Sequence, residues 1–387
     1  MISHDSRTMI EATLPAVEGA LDAITENFYG RLFAAHPGLL SDLFNRTNQQ
    51  NGSQPVVLAG SIAAFARLQL MPDLDLQRSI TERIAHKHAS LGVVADQYPI
   101  VHEHLFAAIV EVLGEAVTPE VAAAWDELYW EMAHVLIGRE NELYASAGVA
   151  PGQVWRTVRV ADRDQVSPDA VSFTVASTDG SRLPDFTPGQ YISVQVPLAD
   201  GARQIRQYSL TGAVDDPTWR FSVKLDGEVS SWLHENAFGG DELTVSTPFG
   251  DLTLPDDDGP LLLASAGIGC TPMIGILHHL VRTGDTRKVQ VLHADRSRAR
   301  QPHRGEIGEL VAQLPGGSLY QWYEHGVSAG PTTRIGLIDL SDVPVDPATT
   351  ALVCGPAGFM DSVRDALADR DLPAERIRFE TFGGVRR

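Results

Sequence analysis

Residues 81–92 read TERIAHKHASLG and place His86 and His88 two positions apart. Neutral imidazole is a common metal ligand, so the pair raises the question of a bound metal. On a helix, residues two apart point about 200° away from each other, and both cannot hold one ion. His102 and His104 in VHEHLF share that geometry, which argues against a four-histidine zinc cluster. Ile84 and Leu91 lie four before and three after His88 and put it on an apolar face, while His86 falls with Arg83 and Ser90 on a wetter one. Periodicity favours His88 as the ligand candidate, although histidines that bind nothing are common.

A second set of chemistry-bearing residues lies further along. In RQYSLTG (206–212) Arg206 offers a fork of donors suited to a pyrophosphate. Tyr208 offers a flat face and a hydroxyl, and Ser209 a donor for a ring edge. GEVSSWLH (227–234) opens a short helix whose free N–H groups favour phosphate. In ASAGIGCTPM (264–273) an apolar strand runs into a glycine turn, with Pro272 suited to the first turn of a helix. That stretch lacks the third glycine of the usual dinucleotide fingerprint. LVCGPAGFM (352–360) repeats the order of strand, glycine, proline and helix.

These motifs need elements to hold them. The chain has 387 residues, 43% hydrophobic and 21% charged, enough for two or three packed domains. Its formal charge of −20 argues against nucleic acid as a partner. No apolar run reaches the length of a membrane span, and no secretory signal is apparent at the start. The two cysteines, Cys270 and Cys354, make a disulfide framework implausible and fit a reducing cytoplasm. Residues 1–147 read as helix, with one apolar pattern in VEGALDAITENFYGRLFAAHP stopping at Pro37 and others over 55–70, 76–90, 96–114 and 119–145. A Gly- and Pro-bearing linker follows near 146–152. VWRTVRVADR, AVSFTVAST, QYISVQVP, WRFSVKL and DELTVSTP then predict a small antiparallel barrel. From 259, GPLLLASAG, VQVLHADR, SLYQWYEH and ATTALVCG alternate with helical stretches and predict a parallel α/β sheet.

RQYSL, GxVSxWLH, SAGxGxTPM and CGPxGFM, in this order, resemble the ferredoxin–NADP reductase superfamily over about 150–387. NFYGRLF, DLFNRTNQQNGSQ, IAHKHASLG, DQYPIVHEHL and IGRENELY resemble the globin domain of flavohaemoglobins, so the joint resemblance spans nearly the whole chain. It implies a globin domain over 1–147, an antiparallel β-barrel FAD domain over 148–257 and an α/β NAD(P)-binding domain over 258–387.

The resemblance also implies site residues. His88 becomes the proximal ligand of haem b iron, with Tyr98 and Glu140 acting on it. Tyr29 and Gln54 become distal donors, and Phe44, Leu58 and Lys87 porphyrin neighbours. Tyr191, Arg206, Gln207, Tyr208 and Ser209 contact FAD, with Val229 and Ser230 at the short helix. Gly267, Ile268, Gly269, Cys270, Thr271 and Pro272 receive NADH or NADPH. The terminal FETFGG brings Thr381, Phe382, Gly383 and Gly384 to the flavin. Cys270 stands where related reductases often show Gln, and Thr381 and Gly384 replace the Cys and Pro of a CFGP ending.

The activity so implied is a monomeric, cytoplasmic nitric oxide dioxygenase that uses O2 and yields nitrate, without stable membrane insertion. A gas sensor that its own reductase resets, and a flavin reductase for quinones or ferric complexes, are the competing readings. Arg296, Arg298 and Arg300 in DRSRAR each suit a 2′-phosphate, or form a solvated basic loop.

Overall fold

The computed structural model describes residues 2–36, 38, 63, 65–67, 70, 74–199, 201–326, 328 and 330–382. The chain divides into two compact units, Met1–Trp155 with Pro197–Ile205, and Arg156–Val196 with Arg206–Arg387.

The first unit is helical. Helix α1 (His4–Gly19) starts at Ser3, whose Oγ accepts from the Ser6 N–H at 3.2 Å. Helix α2 (Leu21–Ala35) follows after a break at Ala20, where φ is −109°. The single pattern expected over 17–37 is therefore two helices, because the apolar spacing continues across the break and does not mark it. Helix α2 ends two residues before Pro37, in keeping with the restriction proline puts on the residue before it. Helices α3 (Leu74–Leu91), α4 (Tyr98–Leu113) and α5 (Pro119–Ser146) complete the described set. Thr118 Oγ1 caps α5 and Pro119 takes its first position, where a missing N–H costs nothing. Ile24, Phe28, Leu32, Leu105, Leu128 and Leu136 form the core between them.

The faces of α3 differ from the expected ones. His86 is only 8% exposed and Ser90 is fully buried, with Ala85 and Ala89 beside them. His88 keeps 30% of its side-chain surface, and Ile84 and Leu91 are also half-buried. The apolar stripe of 84, 88 and 91 is thus not the one packed into the helical core. Periodicity marks a stripe as apolar but does not say what covers it.

The chain then forms β1 (Trp155–Ser167), β2 (Ala170–Ser177), β3 (Tyr191–Pro197), β4 (Arg203–Ser209), β5 (Trp219–Lys224), helix α6 (Glu228–Asn236) and β6 (Glu242–Ser246). Their six-stranded sheet has the order β4-β3-β6-β1-β2-β5, with antiparallel pairing of β1 with β2, β2 with β5 and β3 with β6. The antiparallel strands expected for this stretch are present.

The second sheet is parallel. Its strands are β7 (Leu261–Ala266), β8 (Val289–Ser297), β9 (Gly317–His325), β10 (Thr333–Ile335), β11 (Thr350–Cys354) and β12 (Ile377–Glu380), in the order β10-β9-β8-β7-β11-β12. Every pair is parallel. Leu263, Val291 and Leu352 pack towards α7 (Thr271–Thr283) and α8 (Arg304–Gln313). Leu262, Ala264 and Val353 pack on the other face against α9 (Ala357–Ala368). A strand buried on both faces needs an uninterrupted apolar run, which LLLA supplies. Each fully buried leucine contributes about 1.5–3 kcal/mol of transfer free energy. Chain order reverses between β7 and β11, the switch point at which open α/β sheets bind ligands. Among the described residues no helix is long and apolar enough to cross a membrane.

Candidate functional site

Three helices converge on His88. It sits in the last turn of α3, with Nδ1 2.8 Å from Glu140 Oε1 and 3.2 Å from the Tyr98 hydroxyl. Tyr98, the first residue of α4, donates its hydroxyl to the same Glu140 oxygen at 2.6 Å. Burial, reinforced by Glu140, raises the Tyr98 phenol above its ordinary range, so it keeps its proton and donates. Glu140 lies on α5 and is only 2% exposed. A carboxyl so buried is costly unless hydrogen-bonded, and these two donors meet that need. A His88 ring that gives its Nδ1 proton to Glu140 has Nε2 free to act as a donor atom. Among the described residues Nε2 has no hydrogen-bond partner, so the set fits a ring held ready for a metal.

Tyr129 was not legible in the sequence. Its hydroxyl donates to the Tyr98 backbone carbonyl at 2.7 Å and fixes the start of α4. Nothing in the local pattern around ELYW signals that long-range contact. Tyr29 lies buried in α2, stacked on Phe33 at 5.3 Å between ring centroids. Burial pushes its phenol up as well, so it too stays protonated. Lys87 is exposed beside His88. Phe44, Gln54 and Leu58 lie outside the described residues, as do Gly383 and Gly384.

Strand β4 ends in the RQYS stretch. Arg206 is half-buried, and burial lowers its pKa against the opposing pull of Tyr208 and Glu228. Gln207 Nε2 donates to Ser193 Oγ at 3.1 Å. Tyr208 tilts against Phe221 with centroids 5.7 Å apart. Ser209 is 2% exposed, and its Oγ has no partner among the described residues. A buried hydroxyl left this way costs free energy, so the position fits a ligand that bonds it. Tyr191 opens β3 under close approach from Gly250, whose φ of +133° only glycine adopts readily. Val229 and Ser230 are buried in the first turn of α6; the Ser230 hydroxyl accepts from Asp226 N–H at 2.8 Å and donates to Gly227 O at 2.9 Å.

At the switch point, Gly267–Cys270 forms a tight turn into α7, with Pro272 in the first turn of the helix. The Thr271 hydroxyl donates to Ile268 O at 3.0 Å. A Cβ on Gly269 would collide with the Cys354 carbonyl, so the two glycine turns of the sequence rest on each other. A cavity of about 350 Å³ opens there, lined by Gly267, Ile268, Pro302, Pro356 and Phe359 among others. Arg296 and Arg300 line it as well; Arg298 is directed instead at the Tyr323 hydroxyl. The Asp295 side chain is turned inward, with Oδ1 accepting from the Arg296 N–H at 2.6 Å. Cys270 and Cys354 are fully buried and burial raises both thiols, which makes them poor nucleophiles. Thr381 and Phe382 are exposed beyond β12.

Comparisons with known proteins agree with the order of a helical part, an antiparallel sheet and a parallel sheet. Residues 26–136 match the globin family, 157–254 the oxidoreductase FAD-binding domain and 263–365 the oxidoreductase NAD-binding domain. The chain is 40% identical over 400 residues to a flavohemoprotein of Bordetella pertussis, covering 99% of each. It is 38% identical to a flavohemoprotein of Chromobacterium violaceum, covering 99% of this chain and 98% of the other. The crystal structure of flavohemoglobin from Malassezia yamatoensis, with bound FAD and heme, superposes with a TM-score of 0.91 at 35% identity, covering 99% of this chain and all of that one. The FAD/NAD-binding domain of nitric oxide dioxygenase from Vibrio cholerae O1 biovar El Tor superposes over 60% of this chain and all of its own, with a TM-score of 0.56 and 32% identity.

Proposed function

The chain belongs to the flavohaemoprotein family, and from that premise we propose that it is a nitric oxide dioxygenase, drawing electrons from NADH or NADPH and converting nitric oxide and O2 to nitrate. The observation that carries this reading is the closed set of hydrogen bonds among His88, Glu140 and Tyr98, which prepares one imidazole nitrogen for iron. When bound, FAD supplies the conversion from hydride to single electrons, and haem b the iron at which O2 and nitric oxide react.

The residues of the chain supply position and electron donation. His88 would hold the haem iron, its Nε2 being the ring nitrogen left free of a hydrogen bond among the described residues. Glu140, by accepting the Nδ1 proton, fixes the tautomer and ring angle and makes Nε2 a stronger donor. Tyr98 keeps Glu140 in place. By the resemblance, Tyr29 and Gln54 would donate hydrogen bonds to the gaseous substrate, Leu58 would limit its space, and Phe44 and Lys87 would be porphyrin neighbours.

In the reductase part, Arg206 would take the FAD pyrophosphate and Ser209 a ring edge, with Tyr191, Gln207 and Tyr208 completing the FAD-binding set. Val229 and Ser230 fix the first turn of α6, whose free N–H groups would suit phosphate. Residues 267–272 would receive the nicotinamide nucleotide, and by the resemblance Thr381, Phe382, Gly383 and Gly384 would belong to the flavin site. Arg296 and Arg300 line the same cavity as Gly267 and Ile268 and would suit a 2′-phosphate there, which supports use of NADPH beside NADH. The domain boundaries we propose are 1–147, 148–257 and 258–387, with the protein working as a cytoplasmic monomer.

The test is an absorption spectrum of the purified protein, followed by NADH consumption and nitrate formation on aerobic addition of nitric oxide. A Soret band, flavin absorbance and nitric-oxide-dependent NADH consumption are expected. Consumption unchanged by nitric oxide, with no nitrate formed, overturns the assignment.

A further inference from the structure

The second unit holds a polar cluster that none of the sites above uses. Strand β5 presents Arg220 and Ser222, two apart and so on one face. Arg220 Nη2 donates to Glu306 Oε1 and, at 2.7 Å, to Thr211 O. His278 Nε2, from α7, lies 2.7 Å from the same Glu306 oxygen. His303 Nδ1 lies 2.7 Å from Glu306 Oε2, and its Nε2 lies 2.8 Å from Ser222 Oγ. One carboxyl thereby joins the antiparallel sheet to two helices of the parallel one. His303 is held at φ +54°, a left-handed conformation uncommon for a side-chain-bearing residue, directly after cavity-lining Pro302. A second point of closeness lies at Gly275 of α7, where any Cβ would collide with the carbonyl of Leu210, the residue after Ser209.

We propose that Glu306 and Gly275 are positioning residues for hydride transfer, fixing the distance between the RQYS strand end and the 267–270 turn through β5, α7 and α8. The inference rests on the FAD and nicotinamide reading above. A misplacement of about 1 Å between reactants can cost on the order of a hundredfold in rate.

The experiment uses the full-length, FAD-loaded protein mixed rapidly with NADH. In Glu306→Ala and Gly275→Ala, flavin bleaching at saturating NADH should slow about tenfold or more. FAD content should hold, NADH affinity should change less than about threefold, and the long-wavelength flavin–nicotinamide charge-transfer absorbance should weaken. Without nucleotide, amide exchange at 303–307 and at Leu210 should quicken in both. Glu306→Gln should recover most of the rate, because an amide can accept from Arg220 and His278 while donating to the other His303 tautomer. Wild-type bleaching rates in both Glu306→Ala and Gly275→Ala, or no change in exchange, overturn the proposal. Wild-type protein that NADH does not bleach removes the reductase reading, and this inference with it.

Discussion

His88 Nδ1 lies 2.8 Å from Glu140 Oε1 although 52 residues separate them, and Tyr98 reaches the same oxygen from a third helix. Removing the imidazole removes the nitrogen on which the proposed haem site depends. His88→Ala should lose or shift the Soret band while keeping flavin absorbance. An unchanged haem spectrum would refute the ligand assignment.

Loss of the carboxyl should act on reactivity more than on content. Changing an outer-sphere partner of a metal ligand typically costs about 10–100-fold in affinity or activity. Glu140→Ala should therefore lower nitric-oxide-dependent NADH consumption about tenfold, with flavin bleaching by NADH unaltered. Tyr98→Phe leaves Glu140 with one donor fewer and should cost about 1–3 kcal/mol of stability, read by urea unfolding of the helical part. Equal turnover in wild type and Glu140→Ala would end this role.

Acid should loosen the Glu306 cluster. Burial alone would raise that carboxyl, but hydrogen bonds from His278 and His303 and the Arg220 charge hold it below its ordinary 4.5. The folded state then binds fewer protons than the unfolded one. The resulting stabilisation is fully present above that ordinary value and is lost as pH falls through the depressed one. Wild type should exceed Glu306→Gln in urea midpoint at about pH 7, and the gap should narrow below about pH 4.5. A gap that widens towards acid contradicts the sign.

Gly269 has no room for a methyl group against Cys354 O. Gly269→Ala should cost about 1–3 kcal/mol through forced backbone shift and raise the KM for NADH. Wild-type values for both would mean the two turns can part without consequence.

Nucleotide choice is readable at the cavity rim. Replacing both Arg296 and Arg300 by Ala should raise the KM for NADPH about tenfold, equivalent to about 1.4 kcal/mol, and leave that for NADH within about twofold. Parallel changes for both nucleotides would show that the rim does not sense the 2′-phosphate.

Much of the architecture was legible where one physical signal dominated. The LLLA run announced a strand buried on both faces, and Pro272 and Pro119 sit in first helical turns. Helix α8 was not read, since Gly305 and Gly308 weaken its propensity and tertiary packing holds it instead. Strand β10, three residues long, left no pattern. For the site, spacing alone singles out His88 as a candidate but misjudges which face of α3 is buried, and the partnership with Glu140 and Tyr98 is implied by resemblance. The Glu306 cluster left no trace, because Arg220 and Glu306 are 86 positions apart and no local motif joins them.

The cluster that β5 shares with α7 and α8 bears on how such enzymes can be recombined. A chimaera that grafts this nucleotide lobe onto a relative's flavin lobe inherits His278, His303 and Glu306 but takes its Arg220 and Ser222 equivalents from elsewhere. Unless both sides of that seam travel together, the splice leaves an ionised side chain facing the wrong neighbour. Module exchange within the reductase is therefore expected to succeed only when β5, α7 and α8 come from one parent.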